Sequence, residues 1–101
     1  MRGAQKTISD TVTTWDGITE SPHRFGGTAF RLGRREVGHI HSDRLVDIPF
    51  SKPVRDQLVE DGEAEPHHVL PGTGWVSVFL ECQSDVDRAV RLLRRSYDGL
   101  A

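Results

Sequence analysis

Four of the five histidines in this chain fall in two short clusters. One is Arg35-Glu36-Val37-Gly38-His39-Ile40-His41, and the other is Glu65-Pro66-His67-His68-Val69-Leu70-Pro71. Because side chains alternate between the two faces of a strand, His39 and His41 point the same way if their segment is extended. Imidazole is the side chain best suited to proton transfer or metal binding near neutral pH. The spacing therefore predicts two imidazoles side by side over one spot.

A metal site is one interpretation of these histidines. His39 and His41, with His67 or His68 as a third ligand and Glu36 or Asp47 nearby, would suit an iron oxygenase, and three histidines would suit zinc or copper. The H-x-H spacing constrains a site only loosely, and the sequence shows no fixed third and fourth donors. We therefore expect no stoichiometric metal and no cofactor, and keep the oxygenase-like site as the alternative.

A pocket that works without metal depends on the pairing of two neighbouring strands. A strict two-residue turn at Ser42-Asp43 pairs His39 with Val46. A shift by one residue pairs His39 with Asp47 and places Ile40, Val46 and Ile48 on one apolar face. A His39–Asp47 pair would fix the histidine tautomer and act as a general base toward an acidic phenol or enol. A purely structural hydrogen bond is the other interpretation.

The candidate site residues follow from these considerations. Arg24 is placed to hold an anion and Trp75 to wall a planar ligand, although a surface ion pair and a core position are the ordinary roles of such residues. We expect the set to converge on one concave site with Asp47 and Arg24 near its rim. The predicted catalytic residues are His39, His41, His68 and Asp47, and the predicted ligand-binding residues are Arg24, Glu36, His67 and Trp75.

The elements that must position these residues can be read from the apolar pattern and the turn residues. Strands that do not alternate regularly with helices indicate an α+β fold. We predict a single domain with an antiparallel four- to five-stranded sheet and helices packed on one face. Residues 1–19 are expected to form a tail, frayed over 1–6, and a short helix, and residues 20–98 the main domain. The predicted elements are helices at 8–15, 53–60 and 84–97, strands at 24–32, 35–41, 45–50 and 75–80, and a loop or edge strand around 67–69, with Val46, Ile48, Val76, Val78, Val90 and Leu93 in the core.

Composition limits the classes of function. The chain has 101 residues, enough for one domain, and a net charge of −2, which argues against a strong nucleic-acid footprint. The single cysteine, Cys82, forms no internal disulfide and excludes cysteine-based zinc sites. No apolar run reaches the length of a membrane span, and Met1 to Lys6 lack the apolar stretch of a signal peptide. We expect a cytoplasmic protein with no membrane partner, and the oligomeric state stays open.

The motifs also resemble a known family, the luciferase domain. Over roughly residues 20–98 the likeness follows His23-Arg24-Phe25-Gly26-Gly27, the two histidine clusters, Asp47-Ile48-Pro49-Phe50, Gly74-Trp75-Val76-Ser77 and the segment from Leu92 to Tyr97. The family comprises small prokaryotic proteins of unassigned function and the fungal luciferases, which oxidise a hispidin-type luciferin with dioxygen. The resemblance implies a shared fold and a His-lined pocket that binds or oxidises a small aromatic or enolic compound.

A second likeness competes with the first. Gly74-Trp75-Val76-Ser77-Val78 and the terminal Ser96-Tyr97-Asp98 are similar to bacterial double-wing proteins, for which DNA binding has been proposed. That resemblance implies a nucleic-acid or protein interaction module without catalysis. The arginines of the last predicted helix would then contact phosphates, but interleaved aspartates favour a solvated face. Whether the protein is an enzyme is not decided by its sequence.

Overall fold

The structure, a computed structural model, describes residues 1–23 and 26–101. Within them, three helices accompany one antiparallel sheet of six strands in the order β1-β2-β3-β4-β6-β5. The α+β prediction is therefore confirmed, with one strand more than expected. The helices are α1 (Ala4–Val12), α2 (Lys52–Glu60) and α3 (Gln83–Leu100), and the strands are β1 (Ile18–Pro22), β2 (Thr28–Leu32), β3 (Arg35–His41), β4 (Leu45–Pro49), β5 (Glu65–Pro66) and β6 (Trp75–Phe79).

The extra strand is β1, at the edge of the sheet. Its sequence, Ile-Thr-Glu-Ser-Pro, has one large apolar residue, and Ile18 is only half-buried. The strand is defined by its pairing with β2 along its whole length rather than by burial of its own side chains. The strand predicted at 24–32 begins at Thr28 instead, and Arg24 and Phe25 lie outside the described residues.

The chain start is ordered, so the prediction of a frayed segment over residues 1–6 is wrong. Helix α1 begins at Ala4, and the carboxylate of Asp43 accepts hydrogen bonds from the backbone N–H groups of Gly3 and Gln5. The Met1 ammonium group donates to the carbonyl oxygens of Asp43 and Leu80. These long-range contacts cannot be read from local sequence, which is why the helix was expected four residues later.

One face of the sheet packs in the hydrophobic core and the other carries polar side chains. Ile40, Val46 and Ile48 are completely buried in the hydrophobic core, as are Val76 and Leu93. Helix α3 packs on this face across β3, β4 and β6, and α1 packs against α3. Of the predicted core residues, only Val90 is half-buried. The helices therefore cover one face and leave the other to the polar residues of the same strands.

Helix α3 begins near its predicted position. The Asp85 carboxylate accepts hydrogen bonds from the N–H groups of Glu81 and Cys82, so Asp85 caps a helix that starts at Gln83. Cys82 is exposed at the start of this helix. Among the described residues, no helix combines the length and apolar character needed to span a bilayer.

Strand register decides which polar residues meet. His39 pairs with Asp47 across β3 and β4, and Asp47 pairs with Ser77 across β4 and β6. The shifted register is thus confirmed, made possible by a three-residue turn in which Ser42 adopts a positive φ of 51°. His39, Asp47 and Ser77 form one row across three adjacent strands, on the face opposite α3.

Candidate functional site

The centre of the site is the carboxylate of Asp47, which is completely buried. Asp47 stands in the middle of the His39–Asp47–Ser77 row, so its strand, β4, is flanked by β3 on one side and β6 on the other. The Ser77 hydroxyl donates a hydrogen bond of 2.6 Å to Oδ1, which holds the carboxylate plane in place. The other oxygen, Oδ2, is therefore directed toward the histidines.

Four imidazole nitrogens surround Asp47 Oδ2. The rings of His39 and His68 hydrogen-bond to it through Nε2, at 3.1 and 3.2 Å. The Nε2 atoms of His41 and His67 lie 3.2 and 3.4 Å from the same oxygen. One oxygen with two lone pairs cannot accept four strong hydrogen bonds, so the four rings are not equivalent.

His39 is the positively charged member of the cluster. Its Nδ1 hydrogen-bonds to Glu36 Oε2 at 2.9 Å while its Nε2 faces Asp47, so both ring nitrogens donate to carboxylates. Burial opposes a charge on this ring, but the hydrogen bonds to Asp47 and Glu36 outweigh it and raise the pKa of His39 to about 9. Burial would likewise raise the pKa of Asp47, yet the hydrogen bonds from His39 and Ser77 hold it well below its usual value.

His41 and His67 are shifted in the opposite direction. Burial and the nearby charge on His39 lower the pKa of His41 despite the attraction of Asp47. Burial also lowers the pKa of His67, with repulsion from His68 and His39 acting in the same direction. Near neutral pH the cluster therefore holds a fixed cation, His39, beside the neutral rings of His41 and His67.

The second histidine segment owes its position to the loop between β5 and β6. His67 Nδ1 accepts hydrogen bonds from the N–H groups of Val69 and Leu70, at 3.1 and 3.0 Å. A lone pair must face these donors, so the neutral ring carries its proton on Nε2, toward Asp47. The guanidinium of Arg55, a residue of α2, donates a hydrogen bond to the Pro71 carbonyl oxygen in this loop. The loop ends at Gly74, where any side chain would collide with the backbone of Phe50.

The cluster forms the base of an open cleft of about 990 Å³. The walls are largely apolar, and Trp75 lies 5.2 Å from the His39 ring, centroid to centroid. Val69 and Leu70 contribute to the walls although they are 68% and 48% exposed, so an apolar ligand would cover them. The apolar lining residues are Leu45, Val69, Leu70, Trp75 and Phe79.

The structure brings most of the predicted site residues together. His39, His41, His67, His68, Asp47 and Trp75 all line this cleft. Asp47 lies at the base of the cleft rather than at its rim, because β4 is an inner strand of the sheet. Glu36 lies behind His39 and lines a second cleft, beside Ser51 and Arg95. The predicted role of Arg24 falls outside the described residues.

Two contributors were missed from the sequence. The His23 ring stacks on His39 with centroids 4.0 Å apart and meets His41 edge-on at 5.3 Å. A backbone hydrogen bond from the His23 N–H to the Gly27 carbonyl positions it, and a side chain at Gly27 would collide with the Ile40 carbonyl. Strand alternation could have identified Ser77, which is two residues from Trp75 on the same face. No local pattern indicated His23.

The arrangement offers two kinds of chemistry. Neutral imidazoles beside a fixed imidazolium and a carboxylate suit proton transfer, since neighbouring groups with oppositely shifted pKa values can divide the roles of base and cation. The same atoms suit a cation: the donor atoms of His41, Asp47 and His68 all lie within 4.8 Å of one another, as do those of His23, His39 and His41.

Comparison with known proteins identifies the family. No curated protein and no solved structure matches the chain significantly. The family model of the luciferase domain matches residues 34–96, more than half of the chain, from the start of β3 into α3. This stretch contains the His39–Asp47–Ser77 row and both histidine segments. The chain therefore belongs to the luciferase-domain family.

Proposed function

We propose that this protein binds a small aromatic or enolic compound in the histidine cleft and removes its acidic proton. The observation that carries the proposal is the cluster of four imidazoles around the buried Asp47 carboxylate at the base of an apolar-walled cleft. Burying so many polar groups costs folding free energy, and titratable groups with shifted pKa values cluster at functional sites. Convergent polar groups at the base of an apolar cleft are typical of small-molecule sites.

His41 is the base in this proposal. Its ring is neutral near pH 7 and half-buried in the cleft, and its Nε2 faces Asp47 at 3.2 Å, which would stabilise the imidazolium formed by proton uptake. The His39 imidazolium, 4.8 Å from His41 between ring centroids, would attract the resulting anion of the ligand. Trp75 and the apolar loop residues would contact the flat part of the compound.

Oxidation is the further step that the family resemblance implies. An enolate or phenolate is more electron-rich than its parent acid, and in the fungal luciferases dioxygen is the oxidant. We extend the proposal to such a reaction with dioxygen, on a compound that the chain does not identify. We also place the protein in the cytoplasm, where an unpaired, exposed thiol such as that of Cys82 is usual.

The charge pattern favours this function over an interaction module. Three arginines of α3 are paired with carboxylates: Arg88 with Asp85, Arg91 with Glu63 and Arg94 with Asp98. Arginines committed to carboxylates on the same protein offer less attraction for phosphates. The acidic net charge acts in the same direction.

Thermal unfolding with added ligands tests the proposal. The EDTA-treated protein should be stabilised by a hydroxylated styrylpyrone or a flavonol, and less by the O-methylated analogue that lacks the acidic proton. At a ligand concentration of about 100 Kd the gain is about 2.7 kcal/mol, or roughly 11–22 °C in Tm.

Variants locate the binding. His68→Ala, which removes a partly exposed ring from the cleft, should reduce the shift, while Asp56→Asn at an exposed position of α2 should leave it unchanged. Absence of any shift, or equal shifts with the methylated compound, would contradict the proposal. A salt-dependent stabilisation by short duplex DNA would favour the interaction module instead.

A further inference from the structure

We infer that the cleft binds one divalent first-row transition-metal ion, held by His41 Nε2, His68 Nε2 and Asp47 Oδ2. The three residues come from β3, the β5–β6 loop and β4, and their donor atoms meet at one point only in the folded chain. The sequence led us to expect no metal because its spacing did not fix the third and fourth donors. The register that places Asp47 opposite His39 supplies the third donor.

The spacing of these atoms fits a metal ion. His41 Nε2 and His68 Nε2 each lie 3.2 Å from Asp47 Oδ2. Two ligands bound at about 2.1 Å are separated by about 3.0 Å in octahedral and about 3.4 Å in tetrahedral coordination. The two observed separations fall between these values, and the three donor atoms all lie within 4.8 Å of one another, so side-chain adjustments can bring them around one ion. His68 can make them because its side chain is 40% exposed.

The surroundings of Asp47 assign a role to each neighbour. Ser77 occupies Oδ1, and one lone pair of Oδ2 accepts the hydrogen bond from His39. The second lone pair remains for the ion. His67 is not a ligand, because its Nδ1 accepts two backbone hydrogen bonds and its Nε2 therefore carries the proton. Hydrogen bonds that orient a ligating carboxylate are usual around metal sites.

Metal binding also removes a conflict in the ion-free cluster. Several ring nitrogens compete for one carboxylate oxygen there, and His68 donates its Nε2 proton to it. When the ion binds, this proton moves from Nε2 to Nδ1 of the same ring, and the Nε2 lone pairs of His41 and His68 face the metal instead of the carboxylate. Two imidazoles and one carboxylate leave coordination positions open, and these face the cleft.

The inference deepens the proposed function, and in that respect rests on it: with the ion in place, the metal would hold the oxygen anion of the ligand alongside the His39 imidazolium, and His41 would be a ligand of the metal rather than the base. Metal binding itself needs no organic compound. It can therefore be measured separately, while the thermal-shift experiment above is carried out in EDTA. Metal binding can therefore be absent while the organic ligand still stabilises the protein, and the reverse can also be observed.

Calorimetric titration of tag-free, EDTA-treated protein with Zn²⁺ tests the inference, and the visible spectrum of the Co²⁺ form reports the ligands. We expect one ion per chain with a Kd in the low micromolar range or below. His41→Ala and His68→Ala should each weaken binding at least about tenfold, because each removes one of three ligands. The control Asp56→Asn removes an exposed carboxylate of α2 that is paired with Lys52 and Arg55, keeps an oxygen to accept their hydrogen bonds, and should bind as the unmodified protein does.

His68→Ala keeps the test decisive if His41→Ala does not fold, since the His68 ring is exposed at the cleft. Retained one-to-one binding in His68→Ala, or no saturable binding by the unmodified protein, would overturn the inference. A loss of affinity in Asp56→Asn as large as that in His68→Ala would also overturn it, because it would show adventitious binding to surface carboxylates.

Discussion

Asp47→Asn is the substitution that most directly perturbs the site, because it keeps the shape of the side chain and removes its charge. The amide would still accept the Ser77 hydrogen bond through Oδ1, but it would present an NH₂ group to the histidines in place of Oδ2. The His39 imidazolium would keep only Glu36 as an anionic partner. We expect the folded protein to be less stable for that reason.

The pKa of His39 gives the magnitude. A rise from 6.5 to about 9 corresponds to about 3 kcal/mol of stabilisation of the charged ring in the folded state. Asp47 and Glu36 share this effect, and the hydrogen bond to Asp47 is the largest single favourable contribution, so the loss of Asp47 should cost about 2 kcal/mol. For a domain of this size that is about 10 °C in Tm.

The pH dependence provides the stricter test. A group whose pKa is raised on folding contributes its full stabilisation below its unfolded pKa of 6.5 and loses it as the pH rises through about 9. In EDTA, the difference in unfolding free energy between the unmodified protein and Asp47→Asn should be large at pH 7 and should narrow by pH 10. Urea unfolding at both pH values measures it.

Asp56→Asn is the matched control for this experiment, because its carboxylate lies exposed on α2 and it should change stability by less than about 0.5 kcal/mol. A difference below about 0.5 kcal/mol for Asp47→Asn at pH 7 would refute the description of His39 as a cation held by two carboxylates. A difference that stays constant from pH 7 to pH 10 would refute it equally.

Three further substitutions test the elements around the site, each by urea unfolding. Gly38→Ala should cost about 1–3 kcal/mol because its Cβ would lie 2.6 Å from Leu93 Cδ2 and would also press on backbone, and a stable variant would contradict the packing of α3. His67→Phe should cost about 1–3 kcal/mol because two loop N–H groups lose their acceptor, and unchanged stability would show that the loop does not depend on it. Asp85→Ala should cost about 1 kcal/mol because the N–H of Cys82 at the start of α3 loses its cap. Asp85→Asn, which keeps a side-chain oxygen as acceptor, should cost less.

The sequence predicted the inner part of the fold well. The bounds of β3 were correct, and those of β4 and β6 were each within one residue, because turn residues such as Gly33, Ser42 and Gly74 lie close to their ends. The register of β3 and β4 was inferable because only one pairing placed Ile40, Val46 and Ile48 on the same face. That one inference brought Asp47 to His39, and with it the centre of the site.

The edges of the fold were beyond local reasoning. Strand β1 has few apolar residues, and α1 begins where Asp43, about 40 positions away, accepts its first N–H groups. His23 reaches the cluster through the turn before β2, so its role depends on contacts rather than on spacing. The candidate metal ligands were named from the sequence, but spacing alone left open whether His67 or His68, and Glu36 or Asp47, would meet His41 in the folded chain.

The ionisation state of a bound ligand tests the central claim most directly. A hydroxylated styrylpyrone changes its absorption spectrum when its acidic hydroxyl loses a proton. In EDTA, at a pH about one unit below the pKa of the free compound, the account predicts that titration with the protein produces the spectrum of the anion. The same titration with folded His41→Gln should leave the compound mostly neutral. A compound that binds the unmodified protein and keeps its neutral spectrum would contradict the account.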